Sequence, residues 1–346
     1  MKISDFEISE NSKVFIIAEL SANHNGKLKN AVETIKAAKK TGADAIKIQT
    51  YTPDTITMKS DRPEFRISHG TIWDGTTLYE LYKTAFTPYE WHPELFKVAK
   101  EEGLICFSSP FDPTAVDLLE NLNAPAYKIA SFEITDIPLI KYVAEKGKPV
   151  IMSTGIATED DIKLAIDACR SVGNDQLALL KCTSAYPAKV SEADLCMIPD
   201  FKNRFNVIPG LSDHTLGSLV PTLSVALGAK IIEKHFILDK SIGGPDASFS
   251  LDIKEFTQMV DSVREAESAL GTVNYQLTKK KKKSRLHSRS LFISKEVSAG
   301  DKISRENIRS IRPNNGLHPK YLEEIIGKTF KVSASEGTPL DWSLIE

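Results

Sequence analysis

Val207-Ile208-Pro209-Gly210-Leu211, then Leu219 to Leu227, then Ile231-Ile232-Glu233-Lys234-His235 read as one strand–helix–strand repeat. The two outer runs are short and nearly continuously apolar, as expected of parallel strands buried on both faces. Ser212, Asp213 and His214 come directly after the first run, where a strand gives way to a loop. The same rhythm extends back along the chain. Strands are expected at Val14–Leu20, Ala45–Gln49, Leu104–Ser108, Ala126–Ile129, Pro149–Ser153 and Leu177–Lys181. Helices are expected between them. Asn30–Thr41 sets Val32, Ile35 and Ala38 on one side with lysines opposite, and Gly42 ends it. Glu94–Glu102 has Pro93 before it and Gly103 after it. Asp160–Ser171 and Glu255–Leu270 complete the set.

Eight such units within roughly 250 residues predict a closed (β/α)8 TIM barrel. An open doubly wound sheet is the competitor. No GxGxxG follows the first strand, and polar residues gather at the ends of nearly every strand instead of at one crevice. Both facts favour the barrel, expected over residues 1–275. A lysine-rich linker is expected over 276–288, where Lys279 to Lys283 is an unbroken run whose mutual repulsion favours exposure. Residues 289–346 carry short segments, Ser290–Ile293, Ile308–Ile311 and Gly337–Ile345, separated by turns. A module this small has a marginal core and is expected to pack on something else.

Bulk composition sets limits. The 346 residues are 41% hydrophobic and 26% charged, ordinary for a globular protein. A formal net charge of -2 provides no global field for nucleic acid or an anionic membrane, so neither is an expected partner. No apolar run approaches the ~20 residues that span a bilayer. Met1 to Glu10 holds acids and no hydrophobic signal core, so a cytoplasmic location is expected. Cys106, Cys169, Cys182 and Cys196 lack CxxC spacing and read as free thiols, with Cys106 and Cys182 as small core residues.

In a barrel of this class, chemistry sits at the carboxyl ends of the strands. Those ends present Glu19, Lys47, Gln49, Ser109, Lys128, Ser131, Glu133, Ser153, Ser212, Glu233 and His235. Lysines among hydroxyls suit a phosphate, and burying either lysine without an anion would be costly. His214 and His235 end adjacent strands, flanked by Asp213 and Glu233. Two imidazoles suit a divalent ion and leave coordination positions for water and substrate. His24, His69, His92, His287 and His318 read as surface or structural.

Ile16-Ile17-Ala18-Glu19, Asn23-His24-Asn25-Gly26, Lys47-Ile48-Gln49-Thr50 and Ser108-Ser109-Pro110-Phe111 occur in order along the chain. Tyr127-Lys128-Ile129, Ser153-Thr154-Gly155, Cys182 to Pro187, Gly210 to His214, Ile232 to Phe236 and Gly244-Pro245-Asp246 continue the series. This ordered set resembles the sialic acid synthase family over nearly the whole chain. Arg289 to Glu346 is similar to the antifreeze-like (SAF, β-clip) domain that ends these enzymes.

The resemblance implies a TIM barrel and a domain-swapped homodimer. It implies an enzyme that condenses phosphoenolpyruvate with an amino-sugar aldehyde. His214 and His235 would hold Mn(II), with Mg or Co as alternatives. Lys47, Ser109, Lys128, Ser131, Ser153 and Ser212 would bind phosphoenolpyruvate. Gln49, Tyr186, Glu233 and Asp246 would line the sugar and metal pocket, and Arg312 would reach across from the other subunit. Glu19 is the first choice for acid–base work and Glu133 the second, although Glu19 could instead only pair with a lysine. The chain departs from the N-acetylneuraminate branch at Ala130-Ser131-Phe132-Glu133 and at Ser184. Ser21-Ala22, Trp91-His92 and Gly316-Leu317-His318-Pro319-Lys320 resemble the pseudaminic acid branch instead, which favours a 2,4-diacetamido-2,4,6-trideoxy sugar. Phe132 adds an apolar group that would suit a methyl in place of a 6-hydroxyl. N-acetylneuraminate or legionaminate synthesis, a metal aldolase and a non-catalytic ice- or glycan-binding protein are the rival readings.

Overall fold

Eight parallel strands close on themselves in a computed structural model that describes residues 1–68, 70 and 72–346. His69 therefore lies outside the described residues. The strands are β1 (Phe15–Glu19), β2 (Ala45–Thr50), β3 (Ile105–Pro110), β4 (Tyr127–Ile129), β5 (Val150–Ser153), β6 (Leu177–Cys182), β7 (Ile208–Asp213) and β8 (Ile231–His235). Each lies where the apolar runs place it. Neighbours follow chain order, and β8 pairs with β1 to complete the ring.

Side chains alternate along each strand. One set points outward onto the helices and the other into the barrel. Phe15, Ile17, Phe107, Ile151, Leu180 and Ile231 belong to one buried apolar cluster that fills the amino half of the interior. A two-stranded hairpin, Lys2–Ile3 with Phe6–Glu7, adds Ile3 to this cluster and packs Phe6 against it, stopping that end of the barrel. The interior is thus a packed plug below and a polar rim above, as expected of this architecture.

Eight of the helices are α1 (Leu28–Lys40), α2 (His92–Glu101), α3 (Pro113–Asn121), α4 (Ile137–Ala144), α5 (Glu159–Ser171), α6 (Met197–Phe205), α7 (Leu219–Ala226) and α8 (Ile253–Leu270). Sequence reading missed α3, α4 and α6. They are only eight or nine residues long, which leaves little periodicity to read. Their starts are nonetheless marked in two cases. Asp112 caps α3 and Asp136 caps α4, each followed by proline within the first turn. No helix among the described residues is long and apolar enough to cross a membrane.

The chain divides into two compact units, Met1–Gly271 and Thr272–Glu346. In the second, β9 (Ser290–Ile293) pairs antiparallel with β10 (Ile308–Ile311) over a core of Leu291, Ile308, Phe330 and Leu340. The third short segment, Gly337–Ile345, meets this sheet only through isolated contacts. Leu340 bonds to Leu291 and Ile293 to Thr338, but Pro339 has no N–H to extend a ladder. The lysine run is exposed and forms a short helix, Lys279–Arg285, whose first turn is capped by the Thr278 hydroxyl.

Candidate active site

The inward positions at the carboxyl ends carry Glu19, Lys47, Gln49, Ser109, Lys128, Ser153, Ser212, Glu233 and His235. Their convergence follows from register. Glu19 lies opposite Lys47 on β2 and His235 on β8, Gln49 opposite Ser109, and Ser212 opposite Glu233.

One half of the rim is a charge network. Lys47 Nζ lies 2.7 Å from Glu19 Oε2, 3.6 Å from Glu233 Oε1 and 3.2 Å from the Ser109 hydroxyl, to which it donates. Lys128 Nζ is 3.5 Å from Glu233 Oε1, and the Ser212 hydroxyl donates to the same oxygen at 3.4 Å. The Gln49 amide donates to Glu19 Oε1 at 3.1 Å. The lysines are therefore compensated partly by the protein's own carboxylates. Burial raises the Glu19 carboxyl to about 7, with Lys47 opposing the rise and Glu233 adding to it. Burial acts the same way on Glu233, but Lys128, Lys47 and His214 outweigh it and hold that carboxyl below its usual range. When Glu19 carries its proton, two ammoniums face one carboxylate, and the cluster keeps a net charge suited to an anion.

The other half is aromatic. The His214 and His235 rings are 5.3 Å apart, centroid to centroid. Tyr186 stacks at 4.4 Å on His214, and Phe249 lies 5.0 Å from His235 and 5.1 Å from Tyr186. His214 Nδ1 lies 2.9 Å from the Thr183 carbonyl. A carbonyl only accepts, so Nδ1 carries a proton; burial pulls this imidazole's pKa down but Cys182 outweighs it and holds it above the usual value, and Nε2 is the nitrogen that would exchange its proton for a metal. Burial, then His214 and the lysines, drive His235 well down, so its imidazole is neutral, the ligating form. Its Nδ1 is buried without a hydrogen-bond partner, 3.9 Å from Asp246 Oδ2. Asp246 Oδ2 is itself fixed by the Ser21 hydroxyl at 2.5 Å and the Ala22 amide at 3.3 Å. This donor set fits a divalent ion held by two imidazoles. Among the described residues, no group of three or more His, Cys, Asp or Glu side chains is arranged to hold one.

Other buried polar atoms around the rim lack partners: Ser153 Oγ, Ser184 Oγ, Glu133 Oε2 and Glu233 Oε2. Native interiors rarely leave such groups unmatched outside functional sites. Ser131 accepts from the Gly155 amide at 3.1 Å. Burial raises the Glu133 carboxyl to about 7, against Lys128. Phe132, between them, is 58% exposed. Arg312 belongs to the second unit and is exposed there.

The structure corrects several readings. Asp213 does not flank the imidazoles as expected, and it pairs instead with Lys234. The two sit one residue out of phase with Ser212 and His235, so they point outward, Lys234 also donating to the Thr215 carbonyl. His24 and His92 are fully buried, bonded to Thr87 and Thr50 respectively, and are structural; His287 and His318 are exposed. Cys182, read as a core residue, has its sulfur 3.8 Å from His214 Nδ1. Its inward position is the signal that marks it, since it lies opposite Ser212. Phe249 and Trp73 were also missed, because loops carry them and no strand end announces them.

A closed barrel with buried ammoniums, hydroxyls and paired imidazoles on its carboxyl rim is an enzyme of the kind that handles a small anion. The chain belongs to the NeuB family, whose profile matches residues 34–275, and residues 288–346 match the SAF domain. It is 52% identical to a pseudaminic acid synthase of Campylobacter jejuni over 95% of both chains. It is 38% identical to an N,N'-diacetyllegionaminic acid synthase of Legionella pneumophila over 96% of this chain and 94% of that one. The solved N-acetylneuraminic acid synthetase of Leptospira borgpetersenii superposes with a TM-score of 0.73 at 29% identity, covering 82% of this chain and 94% of that one.

Proposed function

We propose that this chain condenses phosphoenolpyruvate with 2,4-diacetamido-2,4,6-trideoxy-L-altrose and water to give pseudaminic acid and phosphate. The meeting of Lys47, Lys128 and two imidazoles on one rim carries the reaction class. The identity of 52% to a pseudaminic acid synthase, against 38% to a legionaminic acid synthase, supports the substrate.

Lys47, Lys128, Ser109, Ser131, Ser153 and Ser212 would hold the phosphate and carboxylate of phosphoenolpyruvate through charge-assisted hydrogen bonds. Gln49, Tyr186, Glu233 and Asp246 would orient the sugar. His214 and His235 would hold a divalent ion, Mn(II) on this reading, which when bound supplies Lewis-acid polarisation of the aldehyde oxygen. Holding the two substrates in line converts their encounter into an intramolecular step, a gain of about 7–11 kcal/mol in favourable cases.

C3 of phosphoenolpyruvate bonds to the aldehyde carbon, the aldehyde oxygen takes a proton, and C2 becomes electron-deficient. Water adds at C2 and loses a proton; the new C2 hydroxyl then loses its proton as the C2–O bond breaks, and phosphate leaves with that electron pair and accepts the proton. Glu19, with a carboxyl near 7, is suited to give the first proton or take the second. Glu133 has the same tuning and is the next candidate. The complete enzyme on this reading is a cytoplasmic, domain-swapped homodimer in which Arg312 of the partner subunit meets the substrate.

The test is phosphate release from phosphoenolpyruvate, with and without Mn(II), across a panel of amino-sugar aldehydes. Release that is strongest with the trideoxy diacetamido sugar supports the proposal. Release with N-acetylmannosamine at equal efficiency sinks the substrate, and pyruvate consumption without phosphate release points to an aldolase.

A further inference from the structure

The connection between β2 and α2 carries an excursion that the reaction scheme above does not use. Its two arms are bonded to each other: Arg66 bridges Thr77, the Ile67 amide donates to the Thr76 carbonyl at 3.0 Å, and the Gly75 amide donates to the Ile67 carbonyl at 3.1 Å. Trp73 rides near its tip and is half-buried. The Trp73 indole N–H donates to the Pro245 carbonyl at 3.3 Å, beside Asp246. That bond fixes the ring plane. The ring then lies 5.5 Å from Tyr186 and 6.5 Å from Phe249, edge-on to the latter. Those two rings are the ones packed against His214 and His235, Tyr186 tilted over the first and Phe249 edge-on to the second.

Trp73, Tyr186 and Phe249 therefore form a continuous aromatic wall beside the two imidazoles. Such a wall is unsuited to a phosphate. It suits methyl groups and the apolar faces of acetamido groups, which pack on aromatic rings and leave their polar atoms to other partners. Phosphoenolpyruvate offers none of these groups, whereas a diacetamido trideoxy sugar offers a C-methyl and two acetamido methyls.

We propose that Trp73 is a specificity-determining residue that packs on the methyl or acetamido substituents of the sugar, with Tyr186 behind it. The proposal rests on the function given above. It separates the substrates: Trp73 acts on the sugar and leaves phosphoenolpyruvate untouched.

The test compares wild-type full-length enzyme with Trp73→Ala, Trp73→Phe and the neighbouring control Ile72→Ala, by phosphate release in Mn(II). KM is measured separately for phosphoenolpyruvate, for the trideoxy diacetamido sugar and for N-acetylmannosamine. Trp73→Ala is expected to raise KM for the trideoxy sugar at least about tenfold, the scale of losing one apolar contact. KM for phosphoenolpyruvate should stay within about twofold, and Trp73→Phe should fall between. The preference for the trideoxy sugar over N-acetylmannosamine should shrink. Equal rises in both KM values, an unchanged preference, or the same effect from Ile72→Ala overturns the assignment. Should Trp73→Ala fold poorly, the KM split in Trp73→Phe decides alone, and its absence overturns the assignment. A wild-type enzyme that releases no phosphate with any sugar overturns the functional reading and this proposal together, an outcome distinct from an active wild type with unaffected variants.

Discussion

Glu19 Oε2 lies 2.7 Å from Lys47 Nζ, with the two side chains 1% and 4% exposed. A buried pair of this kind contributes little net stability, but removing one member leaves the other charge stranded, at about 3–5 kcal/mol. Lys47→Ala should therefore destabilise the barrel in urea unfolding. The loss should depend on pH with a definite sign. The Glu19 carboxyl is raised from 4.5 to about 7 in the folded state, so its stabilising contribution is present at low pH and fades as pH rises through 7. Without Lys47 its proton is held harder still. The destabilisation should be smaller at pH 5.5 than at pH 8. Equal losses at both would show that Glu19 is not the group left behind.

Two carboxyls tuned to about 7 imply a limb near neutrality in the pH profile of kcat/KM. If Glu19 does the proton transfer, Glu19→Gln should abolish that limb and lower kcat by about 10²–10⁴, the usual range for a general acid or base. Glu133→Gln should keep the limb. The reverse pattern transfers the role to Glu133.

His214→Ala and His235→Ala should each remove tight Mn(II) binding, read by calorimetry, and leave the fold intact by circular dichroism. Chelator treatment of the wild type should stop phosphate release, and added Mn(II) should restore it. Unaltered metal affinity in both variants would mean the imidazoles serve another purpose.

The proposed swap makes a further prediction. Lys128→Ala damages the barrel half of a site and Arg312→Ala damages the half contributed by the partner subunit. Each alone should be nearly inactive. Mixed and re-equilibrated at equal concentration, half of the dimers should be hybrids with one intact site of two, restoring about a quarter of wild-type activity. Mixtures no more active than their components would argue that each chain completes its own site.

Much of the site was legible because a strand has a period of two and a barrel places every strand end on one rim. Lys47, Lys128, Ser212, Glu233 and His235 could be found by reading the residues at the carboxyl end of each apolar run. Asp213 was misplaced for the same reason read too loosely: adjacent residues on a strand face opposite sides, and only the register says which is inside. Trp73 and Phe249 left no such trace, since both arrive on loops whose path is set by contacts distant in sequence.

Local chemistry alone determined the eight-strand rhythm, the apolar plug under a polar rim, and the kinds of group that meet there. Tertiary structure alone decided that Glu19 answers Lys47, that the imidazoles stand against an aromatic wall, and that Cys182 faces His214. Periodicity needs only neighbours along the chain. Pairings across a closed ring depend on strand register, a property that no single strand possesses.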